Sequence, residues 1–353
     1  MPYYTPLRYP GGKRRLAATV VQFLQENGLK DVKYAEPYAG GAAIALALLL
    51  EEYASVVHIN DLSRPIYAFW HTVLNDTKEL CSRVERTKIT MAEWNRQRAV
   101  YKKQDFADLT DLGFATLFLN RTNRSGIIDG GVIGGKEQTG EWTIEARFNR
   151  DEISQRIRKI GRYASRIKLH QLDALDFTNS VVPTLGANSF LFYDPPYIEN
   201  GQNLYLNNYT IEGHRQLANR IVMLEHPWLV TYDYSAVRHN LFHGHRRIAY
   251  GLGYSARKRY EGREVMFISN LLRLPSTWPG SGLVPLSSPR NEAPLYGKME
   301  AMKRHPEMIE GPEAFERFRR AVKAALTVKK RDMPPSPFGK PEKRRKKLAG
   351  RKG

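Results

Sequence analysis

Apolar residues recur at helical spacing from Leu16 to Asn27 and stop at Gly28, which predicts a first helix closed by a glycine. Val32 to Glu36 then reads as a short strand leading into Pro37-Tyr38-Ala39-Gly40-Gly41, followed by an apolar helical run from Ala42 to Tyr53. Ser55 to Asp61 (SVVHIND) is a second β-branched strand that ends on an acid. Strand, glycine turn, helix and strand in this order open a doubly wound α/β sheet, whose ligands sit at the carboxyl ends of the strands.

The pattern changes between Asp76 and Asn149. Charged helical segments over 79–98 and 107–119 give way to SGIIDGGVIGGKEQTG, too rich in glycine for a central strand or helix and suited to hairpins and mobile contact loops. Alternation then resumes with a helix over 151–166, the strands IKLHQLD and SFLFYD, a helix over 212–224, the strand WLVTYD, a helix over 234–241 and the paired strands RRIAYGLGY and REVMFISNLL. Beyond Leu274 the chain becomes proline-rich, with one further helix expected over 312–330. The expected organisation is a core in two parts, 1–75 and 150–274, an inserted recognition lobe over 76–149, a linker and helix over 275–331, and a disordered basic tail over 332–353.

Charge adds a partner to this picture. Among 353 residues, 55 Lys and Arg against 36 Asp and Glu give a formal net charge of +19. Eleven Lys and Arg against two acids between Lys329 and Lys352 supply nearly half of that excess, so the body is basic as well as the tail. A polyanion is the expected partner, because cations that neutralise phosphates release condensed counterions. The longest apolar run, Ala42 to Leu50, is too short to span a bilayer, so no membrane partner is expected. A single cysteine, Cys81, excludes an internal disulfide and a multi-cysteine zinc site, and no metal is expected. With no signal-peptide pattern at the N-terminus, these features predict a cytoplasmic protein.

The most telling chemistry is Asp194-Pro195-Pro196-Tyr197, directly after the apolar run FLFY. A carboxylate and a backbone carbonyl can together accept both N–H bonds of an exocyclic amine, which frees its lone pair for attack. The two prolines fix two φ angles and hold the carbonyl of Pro195 in one direction. Tyr197 offers a ring on which an extruded base can stack. Against the same sheet edge, Gly40-Gly41 supplies a turn that a ligand can approach closely, and Asp61 is placed to accept ribose hydroxyls. Asp61 also suits a plain turn before the helix near Ser63. Pro10-Gly11-Gly12-Lys13 forms a second glycine turn, with a lysine that could meet a carboxylate.

The motifs LRYPGGKRRL, AEPYAGGAAI, HIND, LFLNRTNRSGI, ARFNRDEI, LDALDF, LFYDPPY, TYD and REVMFIS, in this order from about Pro6 to Leu272, resemble the Dam-like D12 class of DNA adenine-N6 methyltransferases, alpha group. The resemblance implies a Rossmann-like S-adenosylmethionine-dependent methyltransferase sheet carrying an inserted target-recognition lobe. It implies cofactor contacts from Tyr9, Lys13, Tyr38, Gly40, Gly41, Asp61 and Asp173, and catalysis by Asp194, Pro195, Pro196 and Tyr197. Where many relatives have Asp-Phe, this chain reads Asp173-Ala174-Leu175-Asp176-Phe177, so the contact to the cofactor adenine falls to Asp173 or to Asp176-Phe177. Asp173 is favoured as the residue that ends the strand.

For reading duplex DNA the best segment is Asn120-Arg121-Thr122-Asn123-Arg124-Ser125 with the glycine loop behind it, because arginine pairs with guanine and asparagine with adenine. Arg8 could also reach the duplex, and bracing of the loop is the competing role for each of these residues. The alternatives are cytosine-N4 methylation, which shares the geometry, and a catalytically inactive DNA-binding relative. Attack on cytosine C5 is excluded, since it needs a cysteine nucleophile and Cys81 lacks the usual preceding proline. A cognate restriction nuclease is a possible partner.

Overall fold

The computed structural model describes residues 2–8, 16–198, 210–233, 235–251 and 263–275. Along the chain the elements are α1 (Leu16–Glu26), β1 (Val32–Glu36), α2 (Ala43–Leu50), β2 (Ala54–Asn60), α3 (Arg64–Asn75), α4 (Thr77–Arg86), α5 (Met91–Lys102), α6 (Leu109–Thr122), α7 (Arg150–Gly161) and β3 (Ile167–His170). They continue with α8 (Ala174–Ser180), β4 (Ser189–Tyr193), α9 (Ile211–Val222), β5 (Trp228–Asp233), α10 (Ser235–Arg238), β6 (Arg246–Gly251) and β7 (Arg263–Ile268). The seven strands form one sheet in the order β3-β2-β1-β4-β5-β7-β6, parallel from β3 to β5, with β7 antiparallel to both neighbours. This is the expected Rossmann-like α/β sheet.

Residues of period two sort the central strands between two apolar layers. Tyr34, Phe190, Phe192, Leu229, Met266 and Ile268 face one layer with α1, α2, α3 and α6, while Ala35, Leu191, Tyr193, Val230, Val265 and Phe267 face the other with α8 and α9. All five residues of β4 are therefore buried. A strand covered on both faces carries a continuous apolar run, which is why FLFY reads without alternation.

The charged stretch over 79–98 is two helices, because the Oγ1 of Thr90 accepts the N–H of Glu93 and starts α5 afresh. Residues 76–149 also lack a core of their own among the described residues. Leu80, Cys81, Trp94, Phe118, Val132 and Ile144 pack in the same apolar cluster as Val57 and Ile59 of β2.

The order of the strands positions the site. β1 leads by way of β2 to β3 on one side, and β4 leads to β5 on the other, so the order in which strands are added reverses between the parallel β1 and β4. Connections leave that point to opposite faces and open a crevice at the carboxyl ends. The turn after β1 contains Gly40, and the residue after β4 is Asp194.

Candidate functional site

Three strand ends are sewn together by one buried amide. Asn60, the last residue of β2 and 1% exposed, donates from Nδ2 to the carbonyls of Pro37 and Leu172, each at 2.9 Å, and accepts the N–H of Leu172 at 2.8 Å. The loops after β1, β2 and β3 are thereby fixed relative to one another. Asn60 carried no role in the sequence reading, although it stands directly before Asp61 in HIND. A buried polar residue closing an otherwise apolar strand was the available signal.

Asp61 is held by backbone donors on both oxygens: Gly40 N–H at 3.0 Å and Ser63 N–H at 2.9 Å. The turn role and the ligand-facing role thus coexist in one side chain. Burial pushes its carboxyl up to about 6, against these two hydrogen bonds. Gly40 lies at φ 47°, a conformation that disfavours a side chain, and its carbonyl accepts the indole N–H of Trp70 at 2.8 Å. Gly41 follows in the same turn, after which Ala42, also at φ 47°, is the N-cap of α2. Tyr38, partly buried, packs against the apolar layer on the α8 and α9 side.

Across the crevice, the Oγ1 of Thr231 in β5 donates to Oδ1 of Asp194 at 2.6 Å. Thr231 is fully buried, so this oxygen of Asp194 has a fixed orientation. Pro195 is buried and Pro196 partly so. The hydroxyl of Tyr197 donates to Glu264 of β7. Glu36, which ends β1 and is 5% exposed, is a third carboxyl at this edge. Burial, and then the charge of Asp194, raises its carboxyl well above the usual range. A crevice edged by Glu36, Asp61 and Asp194 suits cationic groups and hydrogen-bond donors, not phosphates.

Asp173 does not end β3, which stops at His170. It is the N-cap of α8, and its Oδ1 accepts the N–H of Leu175 at 2.8 Å. This cap still lies on the loop that Asn60 ties to the site. Asp176 is exposed on the first turn of α8, and Phe177 is fully buried.

The recognition segment divides into two classes. Asn120 is 1% exposed and spans Arg8, accepting its backbone N–H at 2.7 Å and donating to its carbonyl at 2.8 Å, with a third bond to the carbonyl of Gly126 at 2.7 Å. Asn123 is fully buried, accepting the indole N–H of Trp94 at 2.7 Å and donating to the carbonyls of Ile127 and Ile128. Arg121 is 6% exposed and donates from Nε to the carbonyl of Pro6 at 2.7 Å, while burial lowers its guanidinium to about 10. The expectation that these three side chains read bases gives way to bracing, since burial turns them into the fold. Gly126 is part of the same brace: at φ 77°, a Cβ there would stand 2.2 Å from the carbonyl of Arg8.

Arg124 and Ser125, in contrast, are exposed at the tip of the loop. Behind them, Asn123 and Val132 form an antiparallel bridge, and Gln138 donates to the carbonyls of Ile133 and Gly135. The glycine stretch is thus a braced hairpin-like turn. Arg8 is half-buried, its Nη1 3.3 Å from the carbonyl of Asn123, and its guanidinium is lowered by burial and by Arg147. Arg147 itself is exposed and lies over the ring of Trp142 at 5.6 Å.

Tyr9, Lys13, all but the first residue of the linker and helix expected over 275–331, and the tail over 332–353 lie outside the described residues. No described helix is long and apolar enough to cross a membrane. No group of three or more His, Cys, Asp or Glu among the described residues could hold a metal ion.

The chain is similar in sequence to known proteins. The chain is 24% identical over 221 residues to the Type II methyltransferase M.MjaIII of Methanocaldococcus jannaschii, covering 58% of this chain and 72% of that one. Among solved structures, the rRNA methyltransferase aviRa from Streptomyces viridochromogenes aligns with a TM-score of 0.35 at 13% identity, over 74% of this chain and 86% of that one. The model of the D12 class N6 adenine-specific DNA methyltransferases matches residues 9–246, a span that holds the glycine turn, the braced loop and the Asp-Pro-Pro-Tyr turn. The chain belongs to that family, whose members take their methyl group from S-adenosylmethionine.

Proposed function

We propose that this chain transfers a methyl group from S-adenosylmethionine to the N6 amino group of an adenine turned out of a DNA duplex, at the crevice between β1 and β4. The observation that carries this reading is the pairing of two features at the point where the strand order reverses. One is a glycine turn locked to Asp61, and the other is a carboxylate, Asp194, held in orientation by the buried Thr231. When bound, S-adenosylmethionine supplies an electrophilic sulfonium methyl.

The residues present fit that molecule. Asp61 accepts the ribose hydroxyls while keeping its two backbone donors, since an ionised carboxylate has about four acceptor positions. Asp173 meets the adenine of the cofactor from the cap of α8. The bare backbone of Gly40 and Gly41 allows close approach, and Tyr38 lines the same side. Tyr9 and Lys13 complete the cofactor contacts suggested by the family pattern.

Asp194 and the carbonyl of Pro195 accept the two N–H bonds of the target amine and leave its lone pair directed at the methyl. Proline at 195 and 196 keeps that carbonyl from swinging. Tyr197 stacks on the base, which is exposed to the site only after it leaves the duplex. Arg124 and Ser125 at the loop tip, and Arg8 beside the brace, contact the duplex, and Asn120, Arg121 and Asn123 hold that loop in place. The cytoplasm is the expected compartment, and a restriction nuclease acting on the same sites is the expected companion if this enzyme protects DNA.

Asp194→Ala tests the reading. Methyl transfer to DNA is expected to fall below detection while the affinity for S-adenosylmethionine, measured by calorimetry, stays within about threefold, because the lost group acts on the target amine. Loss of cofactor affinity in step with turnover would place Asp194 in cofactor binding instead.

A further inference from the structure

Tyr197 and Tyr250 share the carboxylate of Glu264, the second residue of β7. Tyr197 donates its hydroxyl to Oε1 of Glu264, and Tyr250 donates to Oε2 at 2.8 Å. Glu264 is 3% exposed and Tyr250 1%. Because β7 runs antiparallel to β5, its first residues return to the edge at which β4 ends, and Glu264 is paired there with Asp233 of β5 and Tyr250 of β6. The fold thus brings a residue 67 positions downstream against the aromatic member of the catalytic turn.

Burying a carboxylate for structure alone is costly, since apolar side chains of similar volume would fill the space without desolvating a charge. What the carboxylate adds is direction. Tyr197 turns about two soft torsions, and its near end is restrained by Pro196. A hydrogen bond at the far oxygen restrains both torsions, so the ring plane is set before any base arrives. Tyr250 holds the second oxygen and keeps the acceptor from rotating.

We infer that Glu264 is a positioning residue of the catalytic turn. It fixes the ring of Tyr197 in the attitude at which a stacked adenine presents its amino nitrogen to Asp194 and the carbonyl of Pro195. This role rests on the proposed function and adds to it a residue outside the Asp-Pro-Pro-Tyr turn.

The test is a double-mutant cycle on methyl transfer to unmethylated DNA with the full chain: wild type, Y197F, E264Q and Y197F/E264Q, with Y250F as a companion. Y197F and E264Q are each expected to lower kcat by about tenfold while KM for DNA and the affinity for S-adenosylmethionine change less than about twofold. The double variant is expected to be no slower than the slower single one, because Glu264 acts through the phenol. Wild-type kcat in Y197F, or losses that multiply in the double variant, would overturn the role. If E264Q does not fold, Y197F alone decides, since it removes only one hydroxyl. Wild-type protein that transfers no methyl to DNA would defeat the functional reading itself, whereas active wild type with unaffected Y197F defeats only the role of Glu264.

Discussion

At the carboxyl edge of the sheet, Asp61 and Asp194 follow the strands on either side of β1 and are fixed by donors from Gly40, Ser63 and Thr231. At the end of α6, the polar residues Asn120 and Arg121, with Asn123 just after the helix, turn back into the fold and direct their hydrogen bonds to the carbonyls and amides of the chain. Both regions are dense in polar residues, yet only the first holds them at the mouth of the crevice. The difference follows from support. A strand end in a doubly wound sheet is already rigid, so its side chains are available for chemistry. A glycine-rich loop has no ladder to hold it, so buried amides and a guanidinium must do so.

Substitutions can break this contrast in order of effect. Asn120→Ala removes three hydrogen bonds and leaves their partners buried, so thermal unfolding should show a loss on the order of 3 kcal/mol, or about 5–10 °C in Tm. If Asn120 instead reads a base, Tm will hold and only DNA affinity will fall.

Next in size is Thr231→Val, which leaves the fold packed but removes the hydrogen bond from Thr231 to Asp194. Loss of a hydrogen bond to a charged group predicts a fall in kcat of about 10- to 100-fold with cofactor affinity retained.

Smaller again is a pH effect at Asp61, whose carboxyl is raised in the folded chain to about 6 by burial. A carboxyl raised on folding favours the native state below its unfolded value, and that contribution is lost as pH rises through the folded value. Ribose binding needs the ionised form, so affinity for S-adenosylmethionine should weaken about tenfold from roughly pH 7 to roughly pH 5, and Asp61→Asn should flatten the profile. A flat wild-type profile would remove Asp61 from the ribose contact.

The smallest effect is expected at Arg124→Ala. Arg124 is exposed and its guanidinium makes no ion pair or hydrogen bond among the described residues, so DNA affinity should drop about 3- to 10-fold with Tm unchanged. Equal destabilisation by Arg124→Ala and Asn120→Ala would erase the distinction between tip and brace.

The contrast also separates what was legible in the chain from what was not. The strands before Asp61 and Asp194 were readable because parallel, doubly covered strands carry short β-branched or aromatic runs, and an acid directly after such a run falls at the carboxyl edge. Asp173 was misplaced by three residues of loop, since β3 is only four residues long and the cap of α8 takes over. Thr231 appeared in the TYD motif without a role, and Glu264 in REVMFIS likewise, because their partners lie 37 and 67 residues away and depend on β4 lying beside β5 and on β7 running backwards. The inward turn of Asn120, Arg121 and Asn123 was equally hidden. Residue type there fits base recognition and bracing alike, and only burial distinguishes the two.

The central claim is that the crevice between β1 and β4 methylates the amino group of adenine in DNA. It is tested most directly by incubating the protein with labelled S-adenosylmethionine and unmethylated duplex DNA, digesting the DNA to nucleosides and separating them. All label is expected in N6-methyladenosine of the deoxy series. Label in N4-methylcytosine, or none in any nucleoside across varied duplexes, would contradict the account.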